Sequence, residues 1–183
     1  MLRTRIRTFV LTAASALFLL APASASAQVD MFLRIDGIKG ESVDAFNRDA
    51  IDVLAWSWGT STGTARTGRG PVPAACIQDL SLTKWVDAAS PQIIMNGVTG
   101  TVASDAVLSM RKGGESNRTD FLVLQMTNVK VTSYQTGGSG GENRLTEHVT
   151  LRFDSLRGEY RRQNERGGYA PPVVFTIGGA VCR

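Results

Sequence analysis

The residues that first invite a chemical reading are Gly137-Gly138-Ser139-Gly140-Gly141, which satisfy the G-x-S-x-G pattern of a nucleophilic serine. Such a serine needs a strand-to-helix elbow to expose it and a histidine with a carboxylate to activate it. Here strand-forming residues follow, not a helix. The only histidine, His148, lies nine residues on, with no aspartate between. The run therefore reads as a flexible hairpin loop, with His148 on the solvent face of a strand. The same glycines are no phosphate loop, because no Lys-Ser/Thr pair follows them. The acids are scattered, each with a base nearby, so no carboxylate pair stands out for general acid–base work. Arg161, Arg162 and Arg166 alternate with Glu159 and Glu165, the pattern of a solvated face and not of a nucleic-acid contact. Asn117-Arg118-Thr119 fits a glycosylation sequon, a pattern that chance also produces. Trp56, Trp58 and Trp85 read as core or interface aromatics. Cys76 and Cys182 lie 106 positions apart in a chain with one histidine, which excludes a zinc site. The residues predict no catalytic group, no metal and no cofactor.

The basic character of the chain points the same way once it is located. The 183 residues carry a formal charge of +4, which alone would suggest nucleic acid or an anionic membrane. Three of those charges are Arg3, Arg5 and Arg7, and residues 28–183 hold 17 bases against 16 acids. The first 27 residues read as an export leader: a basic start, an apolar stretch from Phe9 to Leu20, Pro22, then Ala25-Ser26-Ala27. The apolar stretch is too short for the roughly 20 residues that span a bilayer. Cleavage is expected after Ala27, giving one domain over 28–183 in the periplasm or outside the cell, with no membrane segment after cleavage. In that oxidising space Cys76 and Cys182 are expected to be bridged rather than buried as free thiols. The bridge would close a loop of about 107 residues, worth about 4–5 kcal/mol on the chain-entropy account.

The elements that must position these residues read as mainly β: a small closed β-barrel of two packed sheets with one short flanking α-helix. Met31, Leu33 and Ile35 alternate, then Asp36-Gly37 turns the chain. Ile51–Thr60 is predicted as a strand with Leu54, Trp56 and Trp58 on one face. Leu80 and Leu82 point inward on the next, and Ala106, Leu108 and Met110 repeat the period of two. Leu122, Leu124 and Met126 share one parity and Val129 and Val131 the other, which predicts a bend at Thr127-Asn128. Val149, Leu151 and Phe153 alternate before Leu156 breaks phase, and a last strand spans Val173 to Val181. Ser90-Pro91 predicts a helix with Ser90 as its N-cap, Ile94, Met95 and Val98 as its apolar stripe and Gly100 as its stop. Asn96 and Gly97 weaken it by about 1 kcal/mol. Ile38–Asn47, Ser61–Pro73 and Thr136–Asn143 read as loops.

Four collinear blocks resemble a known family. They are Met31-Phe32-Leu33-Arg34-Ile35-Asp36-Gly37-Ile38-Lys39-Gly40-Glu41-Ser42, Ile51 to Gly59, Leu80 to Pro91 and Thr136 to Glu147. Together they are similar to the haemolysin-coregulated protein (Hcp) family, the tube subunits of type VI secretion, from about Asp30 to Tyr160. Trp85, Asn143 and Leu145 depart from the residues usual there. The resemblance implies a β-barrel with a flanking helix, a self-associating homohexameric ring, stacking of rings into a tube, and a lumen that can hold small effectors or meet secretion-machine components. It carries no catalytic residues. It also makes Ile38–Asn47 the loop used for ring stacking, here with Glu41, Val43, Asp44, Phe46 and Arg48 as the interface residues. The leader is a departure, since the family's tube subunits assemble on the cytoplasmic side. The alternative is a monomeric periplasmic or extracellular binding or adhesion domain on the same barrel, with the tryptophans and loops as its surface.

Overall fold

In a computed structural model the described residues are 28–67, 70–113, 119–141, 143–165 and 168–178, with 64–67 and 71–75 described by their backbone. Strands β1 (Val29–Ile35), β2 (Ile51–Ser57), β3 (Thr60–Thr67), β4 (Gly70–Ile77) and β5 (Leu80–Trp85) precede helix α1 (Ser90–Thr99). Strands β6 (Val102–Lys112), β7 (Leu122–Gly137), β8 (Thr146–Arg152), β9 (Ser155–Tyr160) and β10 (Val173–Gly178) follow it. Six strands in the order β7-β6-β1-β2-β5-β8 form a closed barrel, because β8 pairs back onto β7. Every pairing is antiparallel. The inward-facing set is the one the two-residue period marks: Leu33, Ile35, Leu80, Leu82, Ala106, Leu108, Met110, Val149 and Leu151 are buried together.

Strand β7 shows how a sixteen-residue strand serves two partners. Its first half, Leu122–Thr127, pairs with β9, and its second half, Lys130–Gly137, pairs with β8. The expected bend lies where the partners change. Asn128 there takes a positive φ of 52°, a conformation Asn tolerates better than most residues. Its side chain donates to Asp154 Oδ2 at 2.9 Å, and Asp154 N donates to Thr127 O at 3.0 Å. The same corner ends β8 and starts β9, which explains the phase break before Leu156. Strands β9 and β10 extend the sheet beyond the barrel. Phe175 of β10 lies over Gly158 of β9, where a Cβ would meet the ring at 2.2 Å.

Four expectations need correction. First, Ser61–Pro73 falls mostly within a β3–β4 hairpin paired over eight positions from Thr60↔Ile77 to Thr67↔Gly70. This ribbon forms its own two-stranded sheet outside the barrel's strand order, and Thr, Gly, Arg and Pro in its sequence leave no apolar alternation to mark it. Second, a register shift between Val53 and Ala55 turns Leu54 outward, 38% exposed, while Trp56 and Trp58 pack on the core. Third, the helix is rotated from its predicted face. Ile93 and Asn96 are buried, whereas Ile94, Met95 and Val98 are exposed. Gly97 sits where a Cβ would come 3.3 Å from Val131 Cγ1, so the glycine that weakens the helix also lets it approach β7. Fourth, Ser90 is not the N-cap: Ala89 holds that position with helical dihedrals and no side-chain cap bond. Gly100 ends the helix in the left-handed conformation, as expected. The final strand is described only to Gly178; Val181 and Cys182, like the leader, lie outside the described residues.

Candidate functional site

The segment between β1 and β2 is an ordered arm built by its own short-range bonds. Gly40 N donates to Asp49 O, Ser42 N to Ala50 O and Asp49 N to Ser42 O, at 2.9–3.0 Å. The two legs of the arm are so close that a Cβ on Gly40 would lie 2.4 Å from Ala50 O, which excludes any side chain there. At the tip Asp44 makes an Asx-type turn. Its Oδ1 accepts from Phe46 N at 3.0 Å and from Asn47 N at 2.9 Å.

Three contacts fasten the arm to the barrel. Arg34 of β1 donates to Phe46 O at 3.0 Å. Arg111 of β6 donates to Asp44 Oδ2 at 2.5 Å. Glu41 Oε1 accepts from Ala88 N at 3.1 Å, just before α1. The Arg111 guanidinium, followed by the two backbone donors, holds the Asp44 carboxyl below the usual carboxylate range despite its partial burial. At its tip the fastened arm presents two apolar side chains outward: Val43 is 89% exposed and Phe46 47% exposed. Arg48 is exposed on the returning leg. Thus the structure gathers Glu41, Val43, Asp44, Phe46 and Arg48 in one arm but divides their roles. Glu41 and Asp44 hold the arm, and Val43 and Phe46 form its outward surface.

Beside the arm's anchor lies a buried polar cluster that the scattered-acid reading of the sequence missed. Lys84, with no exposed side-chain surface, donates to Glu147 Oε1 at 2.6 Å, Asp87 Oδ1 at 2.7 Å, Trp85 O at 2.7 Å and Ser90 Oγ at 3.2 Å. Glu147 is equally buried, and its Oε2 accepts from the Tyr134 hydroxyl at 2.7 Å. Burial, then the bond to Glu147, pushes the Tyr134 phenol up to about 12. Asp87 Oδ1 also accepts from Ala89 N, and Ser90 Oγ accepts from Asp87 N, both at 3.0 Å. The cluster therefore shapes the 87–90 turn whose Ala88 N holds Glu41. A signal was available: Lys84 and Glu147 continue the inward parity of Leu80-Leu82 and of Val149-Leu151. They are cross-strand partners in the β5–β8 ladder.

The remaining chemical candidates separate. His148 lies on the exposed face, its Nδ1 2.9 Å from Thr83 Oγ1, and stands opposite Gln135, whereas Ser139 lies in the turn beyond the Gly137↔Thr146 pair. That face of β2, β5, β8 and β7 carries a shallow depression of about 300 Å³ with Ser57, Ser81, Thr83, Gln135 and Thr150 in its lining. Trp85 is stacked by Arg144, 4.9 Å from the ring centre. Cys76 carries no free thiol. Cys182 lies outside the described residues, so their pairing is taken up below as a proposal.

Comparison with known proteins agrees with this architecture. Residues 32–160 match the family described as "Type VI secretion system effector, Hcp". The chain is 43% identical over 141 residues to "Protein hcp1" of Pseudomonas aeruginosa, which covers 76% of this chain and 87% of that protein. Among solved structures it is similar to Hcp1 from Salmonella typhimurium, with 30% identity and a TM-score of 0.67 over 82% of this chain and 94% of the other. A type VI secretion system effector from Yersinia pestis has 25% identity and a TM-score of 0.65, over 82% of this chain and all of that one.

Proposed function

The chain belongs to the Hcp family of type VI secretion tube proteins, and from that membership we propose that it works as a homohexameric ring whose copies stack into a tube. The observation that carries the proposal is the fastened arm. A rigid loop that displays Val43 and Phe46 to solvent is costly for an isolated domain and stable when a neighbouring copy covers it. In a stacked ring the arm of one copy would meet a different surface of the next, a heterologous contact of the kind that closes into rings or runs into filaments. In this reading Glu41, Val43, Asp44, Phe46 and Arg48 are the stacking interface.

We further propose that residues 1–27 direct export with cleavage after Ala27, that 28–183 is the single working domain, and that Cys76 is bridged to Cys182 in a periplasmic or extracellular setting. The leader's three-part pattern and the absence of a free thiol at Cys76 support this reading. The depression of about 300 Å³, where hydroxyl side chains alternate with Trp56, Leu82 and Val149, offers small effectors a mixed polar and apolar surface without carboxylates or lysine or arginine side chains.

The test is native mass spectrometry and electron microscopy of mature protein purified from culture. Six-fold rings, an N-terminus at Gln28 and a mass lower by two hydrogens for the bridge are expected. A strict monomer at high concentration would overturn the ring, and retention of Met1 would overturn the leader.

A further inference from the structure

We propose that Arg111, a residue outside the arm, is the positioning residue of the assembly surface, setting through Asp44 how Val43 and Phe46 are presented to a neighbouring copy. The inference rests on the stacking role proposed for the arm.

Arg111 stands on β6, in register with Asp30 of β1, and its side chain is only 9% exposed. Its guanidinium lies 5.3 Å from the centre of the Phe32 ring, which fixes its plane against the barrel wall. From there it reaches Asp44 Oδ2 at 2.5 Å and comes within 4.0 Å of Asp30 Oδ2. Asp120, whose carboxyl burial holds above the usual carboxylate range against the pull of Arg111 and Arg161, is electrostatically coupled to the same guanidinium. The decisive feature is the division of labour within one carboxylate. Asp44 Oδ2 takes the bond from the barrel, while Oδ1 accepts the amides of Phe46 and Asn47 that make the turn. The orientation of the barrel's arginine is thereby passed to the backbone that carries Val43 and Phe46. Arg34 holds the Phe46 carbonyl from β1, so the tip is gripped from two neighbouring strands of the barrel. Arginine suits this task because a planar, permanently charged fork holds direction as well as charge.

The experiment compares the mature protein with Arg111→Gln, Arg111→Lys and Asp44→Asn. Two readouts are followed: amide hydrogen exchange at Phe46 and Asn47 against core amides of β1 and β6, and the concentration at which rings stack, by analytical ultracentrifugation. Loss of a charge-assisted bond predicts about tenfold or faster exchange at Phe46 and Asn47 in Arg111→Gln. Core exchange is expected to stay unchanged, and stacking to need about tenfold more protein. Arg111→Lys, which keeps the charge and loses the fork, is expected to fall between. Asp44→Asn, on the arm itself, reproduces the Gln phenotype if Arg111→Gln fails to fold. Unchanged exchange at Phe46 and Asn47 in both Arg111→Gln and Asp44→Asn overturns the proposal. Faster exchange with unaltered stacking overturns the link to assembly. If the wild type never stacks, the stacking role fails, while the exchange data still decide whether Arg111 orders the arm.

Discussion

Replacing Lys84 by methionine tests the buried polar cluster most directly. Lys84→Met keeps the length of the side chain and deletes the ammonium. Four acceptors then lose their donor: Glu147 Oε1, Asp87 Oδ1, Trp85 O and Ser90 Oγ. Two of them are carboxylates whose side chains are 0% and 6% exposed. Glu147 retains the Tyr134 hydroxyl, and Asp87 retains Ala89 N, so neither is stripped bare. Breaking a buried pair from one side costs about 3–5 kcal/mol. That is a large part of the ~5–15 kcal/mol that holds a domain folded. For a domain of this size it corresponds to a fall in Tm of roughly 6–20 °C. The double variant Lys84→Met/Glu147→Leu removes a charge of each sign and is expected to be more stable than Lys84→Met alone, with a coupling of at least about 1 kcal/mol. Urea denaturation at neutral pH, followed by circular dichroism, measures both. A cost below about 1 kcal/mol for Lys84→Met, or strict additivity in the double variant, would refute the view that these charges depend on one another.

Three further perturbations test other parts of the fold. Gly158→Val places atoms inside the Phe175 ring position, so β10 is expected to leave β9; limited proteolysis near Tyr169 should accelerate while barrel stability changes little, and an unchanged digestion pattern would count against the close packing. Because the Tyr134 phenol is raised to about 12 by burial and Glu147, its contribution is intact below about pH 10 and declines as pH rises through about 12. A Tyr134→Phe variant should show a flatter stability profile there by thermal melting. Asp44 is shifted the other way, downward, so its hold on the arm is complete above about pH 4 and weakens as pH falls below it. Exchange at Phe46 should therefore rise in acid before core amides open, and simultaneous opening would contradict the local clamp.

Most of the barrel was legible because a half-buried strand writes its burial into a period of two. The β7 bend was legible for the same reason: the change of parity from Met126 to Val129 marks the corner that Asn128 and Asp154 tie. Where burial follows another rule, the pattern misled. The β3–β4 ribbon pairs only with itself, outside the barrel's sheet, and Ser61–Pro73 offered no apolar alternation to read. The helix offered Ile93 and Ile94 side by side, and only the contact with β7 decided which faced inward.

The arm divides in the same way between sequence and tertiary structure. Its residue types and its place between two strands mark it as exposed, apolar at the tip and rich in charge. The sequence alone therefore determined the barrel, the family resemblance and the place of the exposed loop between β1 and β2. What it could not disclose is that Asp44 answers to Arg111, 67 positions away, or that Lys84 and Glu147, 63 apart, share a buried bond. Charges scattered along a chain look solvated until strand pairing brings them together. Only the closed register, which sets Lys84 opposite Glu147 and carries Arg111 along β6 to the base of the arm, turns them from surface charge into the supports of the arm between β1 and β2.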